Sequence, residues 1–346
     1  MMHPGPQGKG HRFSRRKLLL RAGAGVGAAA AGYSLLRQLR PQKTPVFLAR
    51  NQRYDGPLAQ TIADGLSAVG FDAGWVRGRK VLLKPNLVEP LRSAPHMTTH
   101  PAVLVAAAQV FQRLGARVTV GEGPAHVRDT ELALVESGMD DALRSEKLAF
   151  LDVNYAETCV VPNRGRMSKL KTFTMPAELA AADLVVSMPK LKTHHWVGIT
   201  AAMKNLYGVM PGMLYGWPKN VLHYAGIPQT VVDINASLPR SIAIVDGVLC
   251  MEGDGPILGS PKPMGLIAVG LNLPALDATL VRLTGFDPAK IPYLALANGR
   301  LGQIGEPFIC QRGERWQDLA SPFAFLDASH IRAMRNDEES PRTCTP

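Results

Sequence analysis

Four short, unbroken apolar runs constrain the fold of this 346-residue chain more than any other feature. They are Lys80-Val81-Leu82-Leu83, Arg117-Val118-Thr119-Val120, Leu184-Val185-Val186-Ser187-Met188 and Ile242-Ala243-Ile244-Val245. Each has the length of a strand, and all but Arg117-Val118-Thr119-Val120 lack the alternation expected of a half-exposed strand. Such runs suit strands covered on both faces. Between them lie segments of helical character. Leu58, Ile62, Leu66 and Val69 share one helical face, and 101–114 has Pro101 at its start and Gly115 just past its end. Further helices are expected at 130–144, 229–238 and 275–283, and further strands at 46–49, 149–153 and 265–269. This alternation predicts an α/β fold: a mainly parallel sheet with helices on both faces, in one large domain. Segment 155–182 reads as a small insertion and 246–263 as turn-rich. Residues 203–225, rich in Gly, Pro and aromatics, read as a long functional loop or lid. The domain is expected to span 41–325, with 326–346 as a polar tail.

The first forty residues have a different logic. Ser14-Arg15-Arg16-Lys17-Leu18-Leu19-Leu20 sets an arginine pair just ahead of an apolar stretch, 22–36, made mostly of Ala and Gly, with Arg37 and Arg40 as a basic flank. That order matches a twin-arginine export signal over 1–40, whose partner is the twin-arginine translocase. The protein is therefore expected to be exported, to the periplasm or another extracytoplasmic space. No A-x-A cleavage site follows the apolar stretch, so residues 18–36 are also a candidate membrane anchor, although a full span needs roughly 20 apolar residues. The segment holds eight basic residues and no acid, out of a net charge of +11 for the whole chain. The remainder is close to balanced, which removes the electrostatic case for nucleic-acid binding. Its four cysteines, Cys159, Cys250, Cys310 and Cys344, form no C-x-x-C pair. That argues against an iron–sulfur cluster or a zinc ribbon. An oxidising compartment permits a disulfide, and buried or free thiols are the simpler reading.

The polar motifs cluster at predicted strand ends, where ligands bind in open α/β sheets. Lys84-Pro85-Asn86 follows one strand. Lys190-Leu191-Lys192-Thr193-His194 follows another and, if extended, places Lys190, Lys192 and His194 on one side. Lys204-Asn205 comes ten residues later. With no acid beside them in sequence, these cations suit a small anionic ligand, and a desolvated lysine there could serve as base or nucleophile. A solvated basic loop is the plainer alternative. His100, at the start of a helix capped by Thr98 or Thr99, is expected to be neutral and so fit for proton transfer or metal binding. The candidate catalytic residues are thus His194, His100, Lys190 and Lys192, and the anion-binding ones Lys84, Asn86, Lys204 and Asn205. Glu122, in the turn Gly121-Glu122-Gly123-Pro124, and Asp246, Glu252 and Asp254 of a Gly-rich acidic stretch are candidate ligands for a divalent metal such as Mg²⁺. The turn lacks G-x-G-x-x-G spacing, so no dinucleotide site is read there. His223 and Asp277 are weaker candidates.

In this order the motifs Lys84-Pro85-Asn86, Thr99-His100-Pro101, Gly121-Glu122-Gly123-Pro124, Pro189 to His194, Lys204-Asn205-Leu206-Tyr207-Gly208, and Asp246-Gly247 through Glu252-Gly253-Asp254-Gly255-Pro256 resemble the domain of unknown function 362 family, over roughly residues 44–305. Many members carry an extra cysteine-rich cluster domain; this chain lacks those cysteines, so the resemblance implies a fold and a site without implying a cluster. The expected function is an enzyme acting on a small anionic or carbonyl-bearing substrate, with a metal- or cofactor-dependent oxidoreductase as a variant. The alternative is a non-catalytic periplasmic anion-binding or accessory protein. A partner-binding protein with a decayed site is a third reading.

Overall fold

A computed structural model describes Met1 and residues 43–335. The arginine pair, the stretch 18–36, residues 336–346 and Cys344 lie outside the described residues. Twelve strands are described: β1 (Thr44–Ala49), β2 (Lys80–Lys84), β3 (Arg117–Glu122), β4 (Ala149–Asp152), β5 (Thr158–Pro162), β6 (Thr172–Pro176), β7 (Leu184–Ser187), β8 (Lys190–His194), β9 (Gly198–Thr200), β10 (Ser241–Glu252), β11 (Ser260–Gly270) and β12 (Ile309–Gly313). Ten form one sheet, whose main path runs β12-β1-β11-β10-β7-β2-β3-β4, with β8 on β10 and β9 on β8. The stretch β10-β7-β2-β3-β4 is parallel throughout, whereas β11 runs antiparallel to both β10 and β1. The predicted mainly parallel α/β architecture is present.

The unbroken apolar runs have their explanation in the two faces of this sheet. Val81, Leu83, Val120, Leu184, Val186, Ile242 and Ile244 point to one side, against the helices Leu58–Ala68 and Pro101–Arg113. Leu82, Val185, Ala243 and Val245 point to the other, against the helices Ile227–Ser237 and Leu273–Leu283. Successive strand residues face opposite ways, so two cores demand an apolar residue at every position.

Several local expectations change. The helix expected at 130–144 is two, Thr130–Ser137 and Met139–Ser145, broken at Gly138 with φ 76°. The stretch 246–252 is not a turn, because β10 continues to Glu252 and pairs with β11 as far as Glu252↔Ser260. Residues 203–225 are mostly short helical turns, including Ala202–Asn205, Leu206–Val209, Gly212–Tyr215 and Asn220–Tyr224. The insertion 155–182 holds the two-stranded sheet β5–β6. The polar tail begins later than 326, since Ile331 and Met334 are buried in the core. Cys159, Cys250 and Cys310 are free thiols. Among the described residues, no helix is long and apolar enough to cross a membrane.

Candidate functional site

Parallel neighbours end together, and β2 and β3 pair in register up to Leu83↔Val120. Their last residues, Lys84 and Glu122, form a buried ion pair at the carboxyl edge of the sheet. Lys84 Nζ also donates to Pro85 O (2.7 Å) and Asn205 Oδ1 (3.1 Å), so its three protons are all engaged. Asn205 Nδ2 donates in turn to Lys84 O and to Ser187 Oγ at the end of β7, both at 3.1 Å. This ties the turn Ala202–Asn205 to two strand ends. Asp277 fixes the start of that turn by accepting from the backbone N–H groups of Ala202 (2.7 Å) and Met203 (2.9 Å). Burial pushes Asp277 up to about 7.

Above this edge lies a cavity of about 290 Å³, near the lower end of the range for small-molecule pockets. Four lysines line it, Lys84, Lys192, Lys204 and Lys219, and Glu122 is the sole carboxylate among its lining residues. Lys192 is buried and donates only to two neutral backbone carbonyls, Met97 O (2.7 Å) and Pro256 O (3.1 Å). Desolvation, with Lys190, Lys204 and Lys84 as like-charged neighbours, holds its ammonium well below the usual lysine range. Lys204 lies over the Tyr207 ring, 4.3 Å from its centroid, and burial lowers it to about 8. Lys219 donates to Asn154 Oδ1 (2.9 Å) and is likewise lowered by burial to about 8. For the Lys84–Glu122 pair, burial disfavours both charges, moving Lys84 down and Glu122 up, while each partner's charge opposes the shift.

His194 lines the same cavity. The backbone N–H of Trp196 donates to its Nδ1 (3.2 Å), and burial keeps the ring neutral far below its usual titration. The neutral ring therefore carries its proton on Nε2 and is a donor. His223, also in the cavity, is lowered by burial to about 4. Three buried side-chain atoms of the lining, Asn86 Oδ1, Thr200 Oγ1 and Tyr207 Oη, lack hydrogen-bond partners. Orphaned polar atoms in a cavity rimmed by cations mark a place for a polar ligand. Gly208 gives the cavity floor its room: a Cβ there would lie 2.8 Å from Lys84 Nζ.

A second buried cluster sits behind. Lys190 Nζ donates to Asp246 Oδ2 (2.6 Å) and Tyr54 Oη (2.9 Å), and the His100 backbone N–H donates to the same carboxylate oxygen (2.9 Å). The His100 ring stacks on Tyr54 at 3.7 Å, and its Nδ1 accepts from Ala102 N (3.1 Å), making His100 itself the helix cap. Thr99 instead links Asn86 N to Met188 O.

Of the residues singled out from sequence, the fold brings Lys84, Asn86, Glu122, Lys192, His194, Lys204 and Asn205 to one cavity. It does not bring His100 or Lys190 there. The carboxylates proposed as metal ligands are dispersed. Glu122 answers Lys84 and Asp246 answers Lys190, while Glu252 accepts from Lys262 (3.0 Å) and Ala324 N (2.8 Å), and Asp254 stands 3.6 Å from His195. Among the described residues, no three His, Cys, Asp or Glu side chains are placed to share a metal ion. The reason is geometric: Asp246 and Glu252 lie on one extended strand, about 20 Å apart at the usual rise. The expectation that the lysines lack nearby acids is corrected for Lys84 and Lys190, whose partners come from distant sequence. Sequence reasoning missed Lys219 and Thr200 and gave His223 little weight.

Residues 81–282 match the family described as Domain of unknown function (DUF362). The chain belongs to that family. It is 32% identical over 266 residues to a thylakoid-associated protein of Synechocystis sp., covering 74% of this chain and 79% of that protein. Among solved structures, the lactate racemase apoprotein of Thermoanaerobacterium thermosaccharolyticum is similar with TM-score 0.40 and 12% identity, over 68% of this chain and 55% of that one.

Proposed function

We propose that this DUF362 protein is an enzyme acting on a small organic anion held in the Lys84–Lys219 cavity. The observation that carries the reading is the charge imbalance: four lysines and one carboxylate line a cavity of about 290 Å³. Burying uncompensated ammonium groups is costly, and an anionic ligand would offset that cost. Lys204 and Lys219 would neutralise the anion, Asn86 and Thr200 would complete its hydrogen bonds, and His194 Nε2–H would donate to a neighbouring oxygen. The proton-moving role goes to His194 and the lysines, leaving His100 a structural cap.

Calorimetric titration with inorganic phosphate, oxalate and pyruvate tests the site. Saturable one-to-one binding is expected for at least one, weakened about tenfold or more in Lys204→Met or Lys219→Met. Absence of binding, or affinity indifferent to both substitutions, would remove the reading. Turnover of a bound organic anion separates an enzyme from the accessory anion-binding alternative.

We further propose that the chain works outside the cytoplasm, sent there by the Arg15-Arg16 segment. The name of its thylakoid-associated relative is compatible with that. Export of a reporter fused after residue 40, abolished by Arg15→Lys with Arg16→Lys, is the expected result.

A further inference from the structure

We propose that Lys192 is a nucleophilic lysine that condenses with the carbonyl carbon of a small 2-oxo acid to form an imine. This deepens the small-anion reading and rests on it. The inference comes from comparing the buried lysines one by one. Lys84 spends its protons on Glu122, Pro85 O and Asn205, and Lys190 spends its own on Asp246 and Tyr54. Both are ion-paired to a carboxylate. Lys219 donates to the side-chain oxygen of Asn154, and Glu122 acts as a more distant opposite charge on it and on Lys192 alike. Lys204 lies over the face of Tyr207, an arrangement that favours its cation.

Lys192 differs from all of these. It lines the cavity, no carboxylate is bonded to it, and its hydrogen bonds go to two backbone carbonyls. A neutral amine has two protons, and two acceptors hold them, which leaves the nitrogen lone pair as the unassigned direction. Its β8 position also fixes the reach of the chain: Leu191 is buried in the core on one side, and Thr193 Oγ1 donates to Gly253 O (2.9 Å). The amine is thus held by its neighbours in a desolvated, cation-rich site, the environment that frees a lysine for covalent chemistry.

The step balances without a further reagent. The lone pair attacks the carbonyl carbon, and the displaced π pair on oxygen takes up a proton as nitrogen loses one, giving a carbinolamine. The hydroxyl then leaves as water, taking a second proton, while the nitrogen pair closes the C=N bond to give the protonated imine, whose N–H proton can return to the donor. Lys204, with its pKa near 8, is suited to deliver that proton, and the other cations hold the carboxylate of the oxo acid.

The test is reductive trapping. The full-length protein is incubated with pyruvate and cyanoborohydride, the labelled lysine is located by peptide mass spectrometry, and oxalate binding is measured in parallel by calorimetry. The expected result is a reduced-imine adduct on Lys192, in about tenfold or greater excess over Lys204 or Lys219, and absent from a folded Lys192→Arg variant. Adduct on another lysine, or no adduct in protein that binds oxalate, would overturn the nucleophile assignment while leaving the anion site standing. Failure to bind either compound would remove both.

Discussion

Lys190 and Lys192 stand two residues apart on β8, both fully buried, yet their surroundings are opposite. Lys190 meets a carboxylate, a phenol and the stacked Tyr54–His100 pair, and that cluster closes on itself. Lys192 bonds two backbone carbonyls, and the charges that act on it are three other lysines and, more weakly, Glu122. The first arrangement anchors β8 to β10, where Asp246 pairs in register with Lys190. The second leaves a desolvated amine in the wall of a cavity it shares with Lys84, Lys204 and Lys219. Residue type and burial are the same, so the difference between scaffold and site lies in whether the fold supplies a counter-charge.

Replacing each lysine breaks the comparison most directly. Lys190→Ala strands Asp246 as a buried, unpaired carboxylate and is expected to cost about 3–5 kcal/mol in urea denaturation. Lys192→Met removes a buried, desolvated amine that has no carboxylate bonded to it, so it is expected to be at least as stable as the parent, while anion affinity falls about tenfold, or roughly 1.4 kcal/mol. Equal destabilisation by both would show that Lys192 is also a scaffold residue.

Alkaline titration sharpens the contrast. Lys204 and Lys219, lowered to about 8 in the folded protein, lose their protons there, while the unfolded chain keeps them until about 10.4. The unfolded state binds more protons across that window, so this contribution raises the stability of the free protein as pH climbs from about 8. Anion binding goes the other way, because the ammonium groups that attract the ligand are lost. The increase in melting temperature caused by phosphate is therefore expected to be largest below pH 8 and to shrink by roughly half or more at pH 9.5. A phosphate effect independent of pH would place the anion elsewhere. The smallest effect is expected at Thr200. Thr200→Val removes an unsatisfied buried hydroxyl, so the free protein should gain up to about 1 kcal/mol while binding weakens a few-fold.

Much of this was legible in the sequence because the two cores require unbroken apolar strands, and such strands announce their ends. Lys84, Glu122, Lys192 and His194 could be placed at one edge of a parallel sheet from that alone. Their partners could not. The pairing of Lys84 with Glu122 and of Lys190 with Asp246 depends on which strands are neighbours, and nothing local in sequence encodes that order. The Asp- and Gly-rich stretch after Val245 looks like a turn by residue preference, but antiparallel pairing with β11 overrides the preference through Glu252. Lys219 was hidden for another reason. It lies in 203–225, where turns of four or five residues are too short to show a helical period, so no pattern told which way its side chain would point.

The cavity lysines come from separated stretches of chain, from Lys84 at the end of β2 to Lys219 just ahead of the turn Asn220–Tyr224. Folding must therefore drive like charges together from a distance, with their mutual repulsion growing as the sheet edge closes. That repulsion is a brake on the last stage of assembly, and a small anion would release it by acting as a template around which the edge forms. Refolding should accordingly run faster in phosphate than in chloride of the same ionic strength, and Lys204→Met should erase much of that gap.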